Sequence, residues 1–161
     1  ERGRLVSVGA TVTVCDVPEK DGEEAVDCLV SLGKSKGLDL ECVLVATSGG
    51  EKGASVTVWA EFERGFGSGT AVLTRERTIE EAANLAFHRF NEWFDGEWTV
   101  DAFLADQLLL LAAQAEDRSS FTTPLVTPRL TTMAWVVRQF MPIHVTIIGK
   151  EGEPGTVTIE R

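Results

Sequence analysis

Apolar and polar residues alternate over Arg4–Val14 (RLVSVGATVTV) in the manner of a half-buried strand, with Leu5, Val6, Val8, Val12 and Val14 as its apolar members. Pro18–Gly22 interrupts the pattern. Asp21 is placed to cap a helix over Glu23–Leu32 that turns Ala25, Val26, Leu29 and Val30 inward, with Gly33 or Gly37 ending it. Leu38–Ala46 and Ala54–Phe62 read as two strands joined by a flexible loop over Ser48–Gly53. Gly65, Gly67 and Gly69 read as a further loop, leading into a short strand at Thr70–Thr74. Thr78 and Glu81 have the spacing of a capping box, in which each side chain satisfies the other's backbone N–H. It opens a helix to Trp93 whose apolar side is Ala82, Ala83, Leu85, Ala86, Phe90 and Trp93. Residues 1–97 are therefore expected to form one β-α-β-β-β-α unit.

The pattern changes at Trp98. Thr99 or Asp101 can cap a Leu-rich helix on which Leu104, Leu108, Leu111 and Ala112 recur at spacings of three and four. Leu109 and Leu110 widen its apolar surface, so most of its sides are expected to be covered. Asp106 and Gln107 interrupt this run, and taken alone they read as an exposed edge of the helix. A short strand, a second helix ending near Met141, and two strands at His144–Gly149 and Gly155–Glu160 complete the chain, with Gly152–Gly155 as the hairpin turn. The whole is a mixed α/β chain of the α+β kind, divided at residues 1–97 and 98–161. Two apolar helices and about three strands cannot cover both the Leu108–Leu111 face and the Trp135–Val137 face, so an interface is expected there.

Composition narrows the setting. The longest apolar run falls short of the roughly 18 residues that span a bilayer, and no basic-then-apolar leader is read at the start, so no membrane partner is expected. Three cysteines, Cys15, Cys28 and Cys42, cannot all pair and form no C-x-x-C, which fits buried thiols in a reducing cytoplasm. They do not have the spacing of a metal site. The net charge of −10 argues against unaided binding to a phosphate backbone. Most of that charge lies in residues 1–97, which hold 10 basic and 18 acidic side chains.

Two glycine-rich stretches test for phosphate chemistry and fail. A phosphate-cradling loop must lead directly into a helix, whose first N–H groups hold the anion. Here the Ser48–Gly53 loop and the G-x-G-x-G at Gly65–Gly69 both lead into strands.

The second part carries a sharper signal. V-D-A-F-L-A-D-Q-L at Val100–Leu108, S-F-x-x-x-x-V-T at Ser120–Thr127, and R-x-x-T-M-x-x-V-V-x-x-F-M-P at Arg129–Pro142 follow one another in order. In motif and spacing this resembles the C-terminal part of the RNA 3′-terminal phosphate cyclases, closely over residues 98–148 and loosely over 1–97. The resemblance implies that residues 1–97 are the family's small inserted domain, including the opening E-R-G. It implies that residues 98–161 are the return into a large domain of repeated sheet-plus-two-helix modules. By resemblance, the activity is ATP-dependent conversion of an RNA 3′-phosphate to a 2′,3′-cyclic phosphate, with ATP and Mg²⁺ required and an RNA 3′ end as partner. Asp106 and Gln107 match residues lining the adenylate pocket, and Phe103 stands where a tyrosine is common. The missing modules would come from an N-terminal half chain or from self-association.

One departure from the family matters most. The histidine that takes AMP from ATP is replaced by Arg129, and Met133 replaces a neighbouring asparagine. A neutral imidazole attacks phosphorus and leaves again, whereas a guanidinium stays protonated and only donates. His88 and His144 do not align with that position. Three readings remain open: a cyclase subunit whose own catalysis is uncertain, a non-catalytic cyclase-like nucleotide-binding or ribosome-assembly protein using Phe103, Asp106, Gln107 and Arg129, or a structural subunit. Arg129 also reads as the plain start of a helix after Pro128, with its side chain in solvent. The four tryptophans are too scattered for a stacking platform and read as core.

Overall fold

A computed structural model describes residues 1–161. The first strand, β1 (Leu5–Cys15), leads into α1 (Glu19–Ser35), β2 (Glu41–Thr47), β3 (Gly53–Phe62), β4 (Gly65–Val72) and α2 (Ile79–Phe94). After a short link come α3 (Ala102–Ala112), β5 (Ser119–Thr123), α4 (Pro128–Phe140), β6 (His144–Ile148) and β7 (Gly155–Glu160). The strands form two sheets, ordered β2-β1-β3-β4 and β5-β7-β6. Only β1 and β2 pair in parallel, joined by the α1 crossover; every other pairing within the sheets is antiparallel.

Each sheet has its own core. In the first, Ala10, Val12 and Val14 of β1 and Val56, Val58 and Ala60 of β3 face Ala25 and Leu29 of α1 and the Ala82–Trp93 side of α2. Leu5 and Val6, expected in this core, are exposed, because a bulge between Leu5 and Ser7 breaks the alternation before it reaches them. Helix α1 starts at Glu19, earlier than expected. Pro18 precedes it without a side-chain cap, and Asp21 lies inside the first turn, where its charge faces the positive end of the helix. Gly33 does not end α1. It packs against Leu40, and the left-handed stop is Gly37, at φ +74°. The Thr78–Glu81 capping box forms as expected.

The Gly65–Gly69 segment is strand, not loop. A Cβ at Gly67 would overlap the Trp93 ring, and one at Gly69 would overlap the Ala86 carbonyl oxygen and the Phe90 nitrogen. These glycines let α2 lie directly on β4.

The second core joins Ala105 and Leu109 of α3, Leu130, Ala134 and Val137 of α4, and Phe121, Val145, Val157 and Ile159 of the sheet. Helix α3 is rotated from the expected phase. Its buried residues are Ala105, Asp106 and Leu109, while Leu111 is 66% exposed and Leu104, Leu108 and Ala112 are half-buried. The reason is the run of four leucines at Leu108–Leu111, which presents an apolar side at any rotation. Caps and polar partners set the phase instead. Trp135 (60% exposed) is not core, contrary to the reading of the four tryptophans, and with Phe140 and Leu111 it leaves outer helix faces apolar, in line with the uncovered faces expected at Leu108–Leu111 and Trp135–Val137. The three cysteines are free and half-buried, and burial raises the thiol pKa of Cys28 and Cys42. No helix is long and apolar enough to cross a membrane.

The link between α2 and α3 ties the two sheets. Thr99 and Thr122 of β5 interlock: the Thr99 amide donates to the Thr122 hydroxyl (2.9 Å), and the Thr122 amide to the Thr99 hydroxyl (2.7 Å). The Thr99 carbonyl meanwhile accepts from the Phe66 amide of β4 at 2.9 Å. Buried Asp101 is the cap of α3, and Thr99 is not. One carboxylate oxygen accepts the Phe103 and Leu104 amides (2.8 and 2.9 Å), and the other accepts the Ser68 amide of β4 (2.9 Å). Asp101→Ala removes a cap and strands a β4 donor, so it should destabilise the protein by about 2–4 kcal/mol, whereas Asp101→Asn should cost less. Urea unfolding measures this; alanine and asparagine variants both matching the parent would refute the role given to Asp101.

Candidate functional site

Helix α3 distributes the residues singled out in the sequence over two neighbouring places. Asp106 points into the α3–α4 contact and is buried, only 4% exposed, contrary to its reading as a helix edge. The Thr127 hydroxyl donates to its carboxylate at 2.5 Å, and the same Thr127 oxygen accepts the Leu130 amide (3.0 Å), capping α4. A buried carboxylate needs such a partner, because leaving it without one costs far more than the bond itself contributes. Pro128 follows at the first helical position, where a missing N–H costs nothing. Arg129 sits in that first turn. Its Nε lies 4.0 Å from the second Asp106 oxygen, and its side chain is 70% exposed. At that distance and exposure the ion pair is loose, and most of the guanidinium's donors face solvent.

Phe103 and Gln107, one turn apart, lie on the adjacent strip of α3 and are both exposed. They line a cleft of about 790 Å³ between the two units. Its opposite wall is the edge of β4, with Phe66, Ser68 and Thr70, and the side of α2 carrying Arg89, Glu92 and Trp93. That volume suits a small organic ligand. Asp106 and Arg129 do not line the cleft, so the four candidates form two pairs, with α3 contributing to both and α4 supplying Arg129. His88 lies on the exposed side of α2, 3.7 Å from Glu92, and His144 is exposed at the start of β6.

Sequence reasoning missed Thr127, although Thr-Pro before an apolar run is a legible N-cap signal. It also missed Ser68 and Arg89, for which the sequence holds no local signal; they enter through the packing of β4, α2 and α3.

Comparison with known proteins decides the family. The family model for RNA 3′-terminal phosphate cyclase matches residues 10–147, which takes in both units and both candidate pairs. The chain belongs to the RNA 3′-terminal phosphate cyclase family. A cyclase of Methanopyrus kandleri is 34% identical over 108 residues, covering 66% of this chain and 31% of that protein. One from Methylococcus capsulatus is 32% identical over 149 residues, covering 89% and 38%. One from Pyrobaculum neutrophilum is 28% identical over 148 residues, covering 89% and 42%. The chain thus spans between about a third and two fifths of the length of the curated cyclases it matches.

Within this cyclase-family chain the Asp106–Thr127 pair is the tie on which the position of Arg129 depends. Thr127→Val keeps the side-chain shape but leaves the buried carboxylate without its hydroxyl, and should cost about 1–3 kcal/mol. Thr127→Ser should recover most of it. Equal stability of the parent and valine variant in urea titrations would show that the hydrogen bond does not hold the helices together.

Proposed function

We propose that this chain is a nucleotide-binding part of an RNA 3′-terminal phosphate cyclase-type protein, and that it does not itself carry AMP. One observation supports this above the others. The head of α4, where the family resemblance puts the nucleophilic histidine, presents Arg129, exposed and held 4.0 Å from Asp106. A guanidinium supplies donors in a fork that suits phosphate oxygens, but it has no lone pair with which to attack phosphorus. The residues around it therefore bind and orient a phosphate without forming a covalent intermediate.

The remaining candidates suit the same ligand. Phe103 offers an exposed ring for a base to pack on, and Gln107 offers both donor and acceptor for its edge. The relatives' names favour an RNA 3′ end as one partner; ATP, which the family resemblance implies, is the nucleotide we assign to the aromatic and amide pair. The residues present do not by themselves make a Mg²⁺ site. Asp106 is the one carboxylate in the contact with Arg129, one of its oxygens is taken by Thr127, and no three His, Cys, Asp or Glu side chains cluster anywhere. Any metal therefore arrives with the nucleotide's phosphates.

We further read the apolar outer surface at Leu111, Trp135 and Phe140 as the docking face for further cyclase modules, whether an N-terminal half chain or a second copy. Residues 1–97 are read as the family's inserted domain. Three free cysteines fit a reducing cytoplasm. A second reading, a subunit of a working cyclase whose nucleophile lies on another chain, shares this site and differs in one outcome: with that partner chain added to the incubation, the covalent label would appear on the partner.

Incubating the chain with α-labelled ATP and Mg²⁺ should give reversible ATP binding by equilibrium dialysis and no covalent label. Arg129→Ala should weaken that binding by roughly tenfold. An acid-labile labelled band would overturn the non-covalent reading. For the docking face, sedimentation should show association that grows with concentration and that Trp135→Asp suppresses; a strict monomer at all concentrations would remove self-association.

A further inference from the structure

The wall of the cleft that faces α3 belongs to the first unit, and it holds a cation that neither the family match nor the sequence motifs single out. Gly69 brings α2 against β4 with no side chain between them, which places Arg89 of α2 over the exposed edge of that strand. There Arg89 Nη1 donates to the Thr70 carbonyl at 2.7 Å. This single bond anchors the guanidinium and leaves its other N–H groups unused. None of the protein's ion pairs includes Arg89: of the two carboxylates lining the cleft, Asp101 uses both oxygens on backbone amides, and Glu92 makes no contact with the guanidinium within ion-pair distance. An anchored cation without a counter-ion is notable in a chain of net charge −10.

The same cleft exposes two aromatic rings, Phe66 on β4 (43% exposed) and Phe103 on α3 (65%), one on each wall. Phe66 stacks on Trp59 with one side of its ring, and an anchored planar cation lining the same cleft as these two exposed rings suits a ligand with a flat apolar part and an anionic part. The geometry points to Arg89 as a phosphate-gripping residue for a nucleoside phosphate whose base packs in this cleft, so that the first unit contributes half of the binding site. This deepens the reading above, on which it rests for the nucleotide class of ligand. It adds that binding spans both units. The phosphate can belong to a free nucleotide or to an RNA strand, since both present the same oxygens.

Equilibrium binding of the full chain to ATP, and fluorescence anisotropy with a labelled 3′-phosphorylated oligoribonucleotide, test this in parent, Arg89→Ala, Arg89→Lys, Arg129→Ala and Arg138→Ala proteins. Arg138 bonds only its own helix and serves as the control. Arg89→Ala should weaken at least one ligand by about tenfold or more. Loss for ATP alone identifies a free nucleotide in the cleft, loss for the oligonucleotide alone identifies a strand, and Arg138→Ala should change neither. Arg89→Lys keeps a donor for the Thr70 carbonyl but loses the fork, so it should bind nearly as poorly as the alanine variant while its circular dichroism stays that of the parent. If both Arg89 variants bind every ligand like the parent, the assignment to Arg89 is wrong; should Arg129→Ala still weaken ATP, the proposed function survives without it. If the parent binds neither ligand, both are wrong.

Discussion

The carboxylate of Asp101 sets where everything in the second unit begins. Its two oxygens divide their work: one caps the first turn of α3, and the other holds the Ser68 amide on the edge of β4. The residue is 5% exposed, so these bonds form in a poorly hydrated setting where an unmet donor or acceptor is expensive. The cap fixes the start of α3, and the Ser68 contact fixes that start against the first sheet. Neighbouring Thr99 extends the tie, pairing with Thr122 on one side and with Phe66 on the other. The cleft exists because these bonds bring the sheets together at one end of β4 and leave its other end open.

Rotation of α3 then allocates the chemistry. Phe103 and Gln107 lie one turn apart and face the cleft, while Asp106 points to α4. The Asp106–Thr127 bond carries the placement one helix further, to the first turn of α4 and Arg129. Three polar contacts in series thus connect the β4 edge to the position where the family resemblance expects a nucleophile. The Asp101 and Asp106–Thr127 contacts are buried or half-buried, and only Arg129 at the end reaches solvent. The apolar core supplies cohesion, but it has no directional preference that would choose this rotation over a neighbouring one.

Much of the fold was legible because its signals are local. The Thr78–Glu81 box, the stop at Gly37 and the strand alternation after the bulge are set by residues within a few positions of one another. What escaped was non-local. Gly65–Gly69 looked like loop because the sequence does not reveal that α2 lies on that strand, where side chains would collide. The phase of α3 escaped because Leu108–Leu111 is apolar on every side, so the decision passed to Asp101 and Asp106, whose partners lie on β4 and before α4. The family motif marked Phe103, Asp106, Gln107 and Arg129 as one group. The fold distributes them over a cleft and a helix contact, a separation that spacing along the chain does not encode.

Charge explains why an acidic chain can still suit a phosphate. Surface potentials fade over roughly 8 Å at physiological salt, so the net charge of −10, concentrated in residues 1–97, weakens general attraction for a polyanion without deciding affinity at a given point. Local cations decide that. Arg129 is exposed at the head of a helix, where the macrodipole adds its positive end, and Arg89 is anchored at the cleft rim by a backbone carbonyl. A protein so arranged gains little from the length of a strand, since it has no continuous basic stripe to release counter-ions along it. On the proposed reading, discrimination would rest on what fits between these fixed points, and a terminal nucleotide, with one base and its phosphate, is the part of an RNA that such a site would distinguish from the rest.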